Sequence, residues 1–259
     1  MRIAMGVEYA GTRYAGWQEQ RHADSVQGAL EAALSRVAAE PVEVVASGRT
    51  DAGVHALGQV VHFDTTVHRP LRGWCLGGTT HLPDDIAITW AREVPASFDA
   101  RRSAESRRYR YVLMDRLTRP AWLTGRVGWT WRRLDAAPMH AAARSLIGEH
   151  DFEAFRAAAC QAAHARRCLN ALTVSRCGDY LHFDLVANAF LHHMVRNIVG
   201  SLMAVGAGER EPGWIDDVLA SRDRRRAGMT APAAGLYLVG PRYPEAFGLP
   251  EPPPPPRFA

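Results

Sequence analysis

A nine-residue stretch, Ser47-Gly48-Arg49-Thr50-Asp51-Ala52-Gly53-Val54-His55, contains the residue types best suited to chemistry in this chain. Its glycines permit backbone angles that other residues resist, and Asp51 lies between them with Arg49 two positions upstream. A carboxylate held near a guanidinium by a tight turn stays ionised, because the opposite charge favours the charged form. Such a group suits nucleophilic or electrostatic catalysis. The alternative is a hairpin turn in which Asp51 caps the backbone and forms a surface ion pair.

A second candidate is Tyr109, which lies in the sequence Arg107-Arg108-Tyr109-Arg110-Tyr111. Aromatic rings interleaved with arginines can stack on a base and hold the phosphates beside it. The alternative, equally supported by the pattern, is a strand whose tyrosines face the core and whose arginines face water.

Two further segments complete the set of candidates. Arg196 lies in a long apolar helix predicted from Leu191 to Val205, where it either projects into a cleft or is a solvated helix charge. Adjacent histidines point to different parts of a helix surface, so His192 and His193 are not expected to share a metal. Leu236 either lies under a bound ligand or belongs to an ordinary core strand.

Composition favours a globular protein with a nucleic-acid partner. The chain has 259 residues, 47% hydrophobic content and a net charge of +4, and all 31 basic residues are arginine, the better group for bidentate phosphate contact. No apolar run is long enough to span a membrane, and no signal peptide is evident, so a cytoplasmic location is expected. The four cysteines lack paired spacing, which disfavours a zinc site.

The elements that position these candidates are predicted from periodicity and capping. In the first half the pattern predicts strands at 3–9, 42–46, 59–63 and 86–90, the first with one buried face, and a short helix at 69–76. A helix at 26–37 is predicted to be capped by Asp24 or Ser25, with Gln27 placed as in a capping box. The apolar face of this helix is predicted to contain Val26, Leu30, Ala33, Leu34 and Val37. In the second half the pattern predicts strands at 109–113 and 236–239 and a pair of strands at 172–174 and 181–185. Helices are predicted at 135–147, 191–205 and 214–219, the first of them capped by Asp135.

This order indicates two similar α+β domains that form a largely antiparallel sheet with helices on one side and a basic cleft between the domains. The predicted domains are residues 1–104, which carry the aspartate stretch, and residues 105–250. A proline-rich tail, residues 251–259, is expected to be extended polyproline II.

Five segments together resemble the TruA family of tRNA pseudouridine synthases, and the resemblance runs from about residue 3 to residue 250. The aspartate stretch carries most of its specificity. The segments, in order, are Gly48-Arg49-Thr50-Asp51-Ala52-Gly53-Val54-His55, Arg108-Tyr109-Arg110-Tyr111, Asp151-Phe152 with Phe155-Arg156, His192-His193-Met194-Val195-Arg196-Asn197 and Gly235-Leu236-Tyr237-Leu238.

The resemblance implies the pseudouridine synthase fold and an isomerase that needs no cofactor and no metal. Its substrate would be uridine at positions 38 to 40 of tRNA, in the anticodon stem-loop, and the enzyme would be a homodimer. By the match, Asp51 is the catalytic aspartate, Tyr109 stacks on the target uracil, and Arg196 pairs with the Asp51 carboxylate. Arg49 would expel or hold the flipped nucleotide, and Leu236 would line the uracil pocket.

The implied chemistry agrees with an ionised carboxylate, which can attack ribose C1′ or uracil C6 or take a proton from ribose C2′. Two other functions stay open, a non-catalytic tRNA-binding or chaperone protein and a nucleotide hydrolase that uses Asp51 on a small substrate. Three residues depart from the family pattern and put loop contacts with tRNA in doubt: Thr79, Ala162 and Ala165.

Overall fold

A computed structural model describes residues 1–20 and 22–258, and its elements are of the predicted α+β class. None of the helices in these ranges is both long and apolar enough to cross a membrane. The strands are β1 (Arg2–Tyr9), β2 (Val45–Ala46), β3 (His55–Asp64), β4 (Ile86–Val94), β5 (Ser106–Asp115), β6 (Gly128–Thr130), β7 (Gly148–Asp151), β8 (Arg166–Cys177), β9 (Tyr180–Ala187) and β10 (Leu236–Arg242). The helices are α1 (Val26–Ala38), α2 (Leu71–Thr80), α3 (Ala136–Ala143), α4 (Met194–Gly206) and α5 (Trp214–Ser221).

The chain forms two compact units, and the first consists of Met1–Ser106 together with Tyr237–Pro255. Its strands have the order β4-β1-β3-β10, and β2 pairs with β3. All of these pairs are antiparallel except that of β10 with β3, which is parallel and places Tyr237 opposite His55. The largely antiparallel sheet predicted from the sequence is confirmed, whereas the segment predicted as a strand over 42–46 is a strand only at Val45–Ala46.

Strand β1 is buried on both faces, and the prediction of a single buried face is wrong. Ile3 is fully buried on one side, and Ala4 is fully buried on the other, where it packs in a cluster with Phe98 and Tyr243. Small residues on this second face leave room for large neighbours, since a side chain at Gly6 would collide with the ring of Trp90. The period-2 pattern did not reveal that the chain covers both faces.

Helix α1 begins as predicted, because the side chain of Ser25 accepts a hydrogen bond from the backbone N–H of Gly28. The predicted role of Gln27 in a capping box is wrong, since its amide donates to Glu31 instead. The helix ends at Ala38, and Ala39 adopts the left-handed conformation two residues before Pro41. The predicted apolar face is fully confirmed; its buried members are Val26, Leu30, Ala33, Leu34 and Val37.

The second unit contains Arg107–Leu236 and the end of the chain from Pro256. Its strands have the order β5-β9-β8-β7, all antiparallel, and the short β6 pairs with β5 in parallel. The predicted strand pair is confirmed as β8 and β9. Asp135 caps α3 as predicted by accepting a hydrogen bond from Ala137 N–H. The sequence pattern gave no sign of β6 or β7.

The described part of the predicted tail, residues 251–258, forms no helix or strand but does make specific contacts. In the second unit, the guanidinium of Arg110 donates to the carbonyl of Pro256 at 3.0 Å, and the ring of Phe258 stacks on Tyr180 at 5.8 Å. The end of the tail, from Pro256 to Phe258, therefore packs on the strands of that unit. Ala259, its last residue, lies outside the described residues.

The burial of two histidines, His62 and His182, predicts that the protein loses stability in mild acid. Burial lowers the pKa of His62, with Arg2 a smaller cause, and burial lowers the pKa of His182, with Arg110 a smaller cause. Below pH about 6.5 the unfolded chain takes up protons before the folded chain does. We therefore expect the free energy of unfolding to fall as pH falls below about 6.5, by at most about 1.4 kcal/mol per pH unit for each histidine.

Urea unfolding at pH 5 to 8 measures this slope, and His182→Phe is the matched variant. Within the described residues Nε2 of His182 has no hydrogen-bond partner, so phenylalanine removes the titration at little structural cost. The variant should retain more of its pH 7 stability at pH 5. An unchanged slope in His182→Phe would show that His182 does not titrate with unfolding.

Candidate active site

Asp51 lies in the loop between β2 and β3 and is half-buried. Its carbonyl oxygen accepts a hydrogen bond from Val54 N–H at 3.1 Å, which closes a tight turn. Gly53 has a φ of 78°, an angle that glycine adopts without strain, as expected from the sequence. Gly48 does not have a positive φ, so only one of the two glycines provides the special backbone angle.

The loop is held on one side by the segment that follows β1. Trp17 N–H donates to the Thr50 carbonyl at 3.0 Å, and Gly53 N–H donates to the Tyr14 carbonyl at 3.3 Å. The hydroxyls of Tyr9 and Thr50 form a buried hydrogen bond at 2.8 Å. The chain approaches closely at Gly16, where φ is 107° and a Cβ atom would lie 2.8 Å from the Thr50 carbonyl oxygen.

The supporting segment, residues 11–18, is itself tied to the first unit by its aromatic side chains. Trp17 is only 2% exposed and packs against Tyr9, so it is a core residue. The hydroxyl of Tyr14 donates to Asp85 at 2.6 Å, and burial together with Asp85 raises its pKa to about 12. The segment therefore acts as a support for the Asp51 loop, a role that the sequence pattern did not suggest.

Gln59 holds the loop on its other side. This side chain is fully buried; its Oε1 accepts from the Ser47 hydroxyl at 2.6 Å, and its Nε2 donates to the Gly48 carbonyl at 2.7 Å. The amide thus joins β3 to the first two residues of the loop. Gln59 was not a candidate from sequence, because a single glutamine within a strand has no distinguishing pattern.

His55, at the loop's end, is buried and is held by two contacts. Its Nδ1 accepts a hydrogen bond from Gly11 N–H at 3.1 Å, and its ring stacks on Tyr237 at a centroid distance of 4.7 Å. Because Nδ1 accepts, the neutral ring carries its proton on Nε2. Both ends of the aspartate loop are therefore anchored by buried polar side chains.

We expect Gln59→Leu to loosen this loop. Leucine is similar in size, but the Ser47 hydroxyl and the Gly48 carbonyl lose their buried partner, at a cost of about 1–3 kcal/mol in the free energy of unfolding. Urea unfolding measures this cost, and Gln18→Leu, at an exposed position, is the control and should cost under about 0.5 kcal/mol. Equal stabilities of the two variants would contradict the anchoring role of Gln59.

In the second unit, Tyr109 lies on β5 and is 9% exposed. Its ring packs edge-on against Phe190 at 5.0 Å, which orients the phenol. Arg108 and Arg110, which alternate with the tyrosines, both pair with Asp184, at 3.2 Å and 2.6 Å. The idea that these two arginines hold phosphates beside Tyr109 is therefore not supported, because their guanidiniums are engaged by a carboxylate.

Arg196 lies in the first turn of α4 and is half-buried. Its Nε donates to the Ala231 carbonyl at 2.7 Å, and its own carbonyl accepts from Ala231 N–H at 3.0 Å. The next residue, Asn197, is fully buried; its amide donates to the Phe155 carbonyl at 2.8 Å, and its Oδ1 accepts from the Thr230 hydroxyl at 2.7 Å. These bonds fix the start of α4 and hence the position of Arg196.

The two histidines before α4 are arranged differently from the expectation. The helix begins at Met194 rather than Leu191, and His193 has a left-handed φ of 60°. The turn brings the rings of His192 and His193 to a centroid distance of 4.1 Å. The argument that they point to different parts of a helix surface is wrong, because neither lies within the helix.

Leu236 begins β10 and is 5% exposed. It follows a single 3-10 turn, Ala233–Gly235. A side chain at Gly235 would collide with the Val112 carbonyl and the ring of Tyr111, so this turn lies directly against β5.

The remaining candidates are on the surface or in structural roles. Arg49 is exposed, so its guanidinium is accessible to a ligand. Thr79, a departure from the family pattern, accepts a hydrogen bond from Ile88 N–H at 3.1 Å and so supports α2 against β4. The carbonyl of Ala162 accepts from Arg156 at 2.9 Å, and that of Ala165 accepts from Phe152 N–H at 3.1 Å. Both alanines take part in these bonds through their backbone carbonyls and not through their side chains.

A family model described as tRNA pseudouridine synthase matches residues 5–101 and 142–244. The matched ranges include Asp51, Arg196 and Leu236, whereas Tyr109 lies between them.

Three similar proteins share about half of their residues with this chain, and each is named tRNA pseudouridine synthase A. The protein from Hydrogenovibrio crunogenus is 54% identical over 248 residues, 96% of this chain and 95% of that protein. The protein from Vibrio parahaemolyticus is 55% identical over 250 residues, with the same shares covered. The protein from Xanthomonas oryzae pv. oryzae is 54% identical over 252 residues, 96% of this chain and 98% of that protein.

Proposed function

This chain belongs to the tRNA pseudouridine synthase family, and from that premise we propose that it isomerises uridine to pseudouridine in tRNA. The proposed sites are positions 38 to 40 of the anticodon stem-loop. The observation that carries the proposal is Asp51, half-buried at the centre of a loop whose backbone is anchored by Thr50 and Gln59. An anchored carboxylate of this kind meets the geometric requirement for a positioned nucleophile or base.

The reaction requires the N1–C1′ bond of uridine to break and a C5–C1′ bond to form. The base first leaves the helical stack, because the enzyme cannot reach the reacting atoms of a stacked nucleotide. The bonding electrons pass to uracil as N1–C1′ breaks, the freed base rotates, and C5 bonds to C1′. C5 then loses its proton and N1 takes one up. No electrons are gained or lost overall, so the proposal includes no redox cofactor, and it includes no metal because the family resemblance implies none.

Each candidate residue receives a role in this proposal. Asp51 acts on the ribose or the uracil, Arg196 pairs with its carboxylate, and Tyr109 stacks on the target uracil. Arg49 holds or expels the flipped nucleotide, and Leu236 lines the uracil pocket. The edge contact of Phe190 with Tyr109 supports the stacking role, since it leaves the phenol in a fixed orientation.

Three routes for Asp51 differ in which bond forms first. Attack on C1′ gives a ribosyl ester, attack on C6 gives a uracil adduct, and removal of the C2′ proton gives a glycal. Substrate with deuterium at C2′ separates the third from the others. A primary isotope effect on single-turnover rates supports proton removal, and its absence favours either attack.

The decisive experiment is to incubate the protein with an unmodified tRNA transcript and map pseudouridine by carbodiimide treatment and primer extension. Stops at positions 38 to 40 are the expected result. Tight tRNA binding without any stop would favour a non-catalytic binding protein, and hydrolysis of free nucleotides would favour a hydrolase.

The proposal also includes a homodimer and a cytoplasmic location, as the family resemblance implies. Sedimentation equilibrium measures the first, and a mass of one chain at micromolar concentration would remove the dimer from the proposal.

A further inference from the structure

The second unit contains a groove of about 550 Å³ that none of the roles above uses. Its walls come from the turn after β6, the later part of α4, the start of α5 and the segment 225–229. The side chains that give it its chemical character are Trp131, Arg132, Arg210, Trp214, Arg225 and Arg226.

Two tryptophans in this groove each lie beneath an arginine. The guanidinium of Arg132 is 5.1 Å from the ring centroid of Trp131, and that of Arg210 is 5.4 Å from the ring of Trp214. Trp131 is 59% exposed, so its indole ring is accessible to a ligand. Indole rings and guanidinium planes are among the protein groups on which nucleic-acid bases stack.

The charge of the groove is strongly positive. Four arginines line it against one acid, Glu209, which pairs with Arg132. Arg225 pairs with Asp223 at 2.8 Å. Arg210 and Arg226 are exposed, and neither forms an ion pair within the part of the chain that the structure describes. Two guanidiniums are therefore available for phosphate.

We propose that this groove binds an RNA strand, with an unstacked base on Trp131 and phosphates on Arg210 and Arg226. Charge favours RNA over a second copy of this chain, because a copy also carries a net charge of +4. Neighbouring aromatic rings and arginines match a single-stranded segment better than a continuous duplex, whose bases are not exposed for stacking.

The groove is connected to the proposed site through α4. Arg196 is in the first turn of this helix and Ala204, in the groove wall, is eight residues later, which corresponds to about 12 Å along the axis. One RNA molecule can span this distance. The inference rests on the proposed function for the identity of the RNA as tRNA, but its test measures binding and not isomerisation.

The test is the affinity of an unmodified tRNA transcript over a range of salt concentrations. Removing two phosphate contacts in Arg210→Ala/Arg226→Ala should reduce the slope of log affinity against log salt by about 1.5. Trp131→Ala should weaken binding by about 5- to 100-fold, and Trp131→Phe should restore most of it, because a phenyl ring also stacks.

Matched controls lie in the same unit but outside the groove. Trp122 is 76% exposed and Arg119 is exposed, so Trp122→Ala and Arg119→Ala remove similar groups and should change affinity less than about 2-fold. Circular dichroism melts verify that each variant is folded.

Wild-type affinity and salt slope in the groove variants would overturn the proposal. It would equally be overturned if these variants bound tRNA normally but changed the sedimentation mass, since the groove would then be a contact between copies. If the groove variants bind tRNA normally but no longer isomerise it, the proposal that the groove binds RNA is contradicted, and the proposed function still stands.

Discussion

Replacing Asp51 with asparagine is expected to reduce pseudouridine formation by about 10⁴-fold or more while leaving fold and tRNA binding intact. Asparagine has almost the same shape, but it lacks the negative charge that nucleophilic attack or proton removal requires. The loop contacts described above use the Asp51 carbonyl, the Thr50 hydroxyl and the Gln59 amide, none of which changes.

Single-turnover conversion of a tRNA transcript and its binding affinity should be measured on the same preparation. Asp84→Asn, an exposed aspartate in the same unit, is the control and should be fully active. Conversion by Asp51→Asn at more than a tenth of the wild-type rate would exclude Asp51 as the catalytic group.

Replacing Arg196 with alanine is expected to lower the single-turnover rate by about 10²-fold or more, with tRNA affinity changed less than about 5-fold. In the proposed site the Arg196 guanidinium orients the Asp51 carboxylate, an effect on the chemical step and not on phosphate binding. The bonds of Asn197 hold α4 independently of the Arg196 side chain, so the helix start should persist.

Arg196→Lys separates charge from geometry. Lysine keeps the positive charge but loses the planar donors, including the Nε that binds the Ala231 carbonyl, and should recover only part of the rate. Arg119→Ala is the exposed control. A loss of affinity with an unchanged rate in Arg196→Ala would make Arg196 a phosphate contact instead.

Much of the secondary structure could be predicted because local signals and burial agree. Ser25 and Asp135 cap helices as their types suggest, and the apolar period of α1 corresponds to its buried face. The start of α4 could not be predicted, because the left-handed turn at His193 has no glycine or proline signal. The burial of β1 on both faces depends on residues around Phe98, which lie far from β1 in the sequence.

The candidate site, too, could be predicted only in part. The aspartate loop was evident because chemically active residues are adjacent in sequence, and the resemblance supplied the roles of Tyr109, Arg196 and Leu236. The groups that hold the loop were missed. Gln59 and Tyr9 act through hydrogen bonds to residues distant in sequence, which leave no periodic pattern, so only the folded chain identifies them.

The parallel pairing of β10 with β3 has a consequence for synthesis of the protein. Tyr237, the stacking partner of His55, emerges from the ribosome about 180 residues after it, so the nascent first unit lacks its last strand until the second unit has been made. A released fragment ending before residue 237 would present the unpaired edge of β3 beside the aspartate loop. The sequence order thus delays assembly of the surroundings of the aspartate loop until the strands and helices of the second unit have been synthesised.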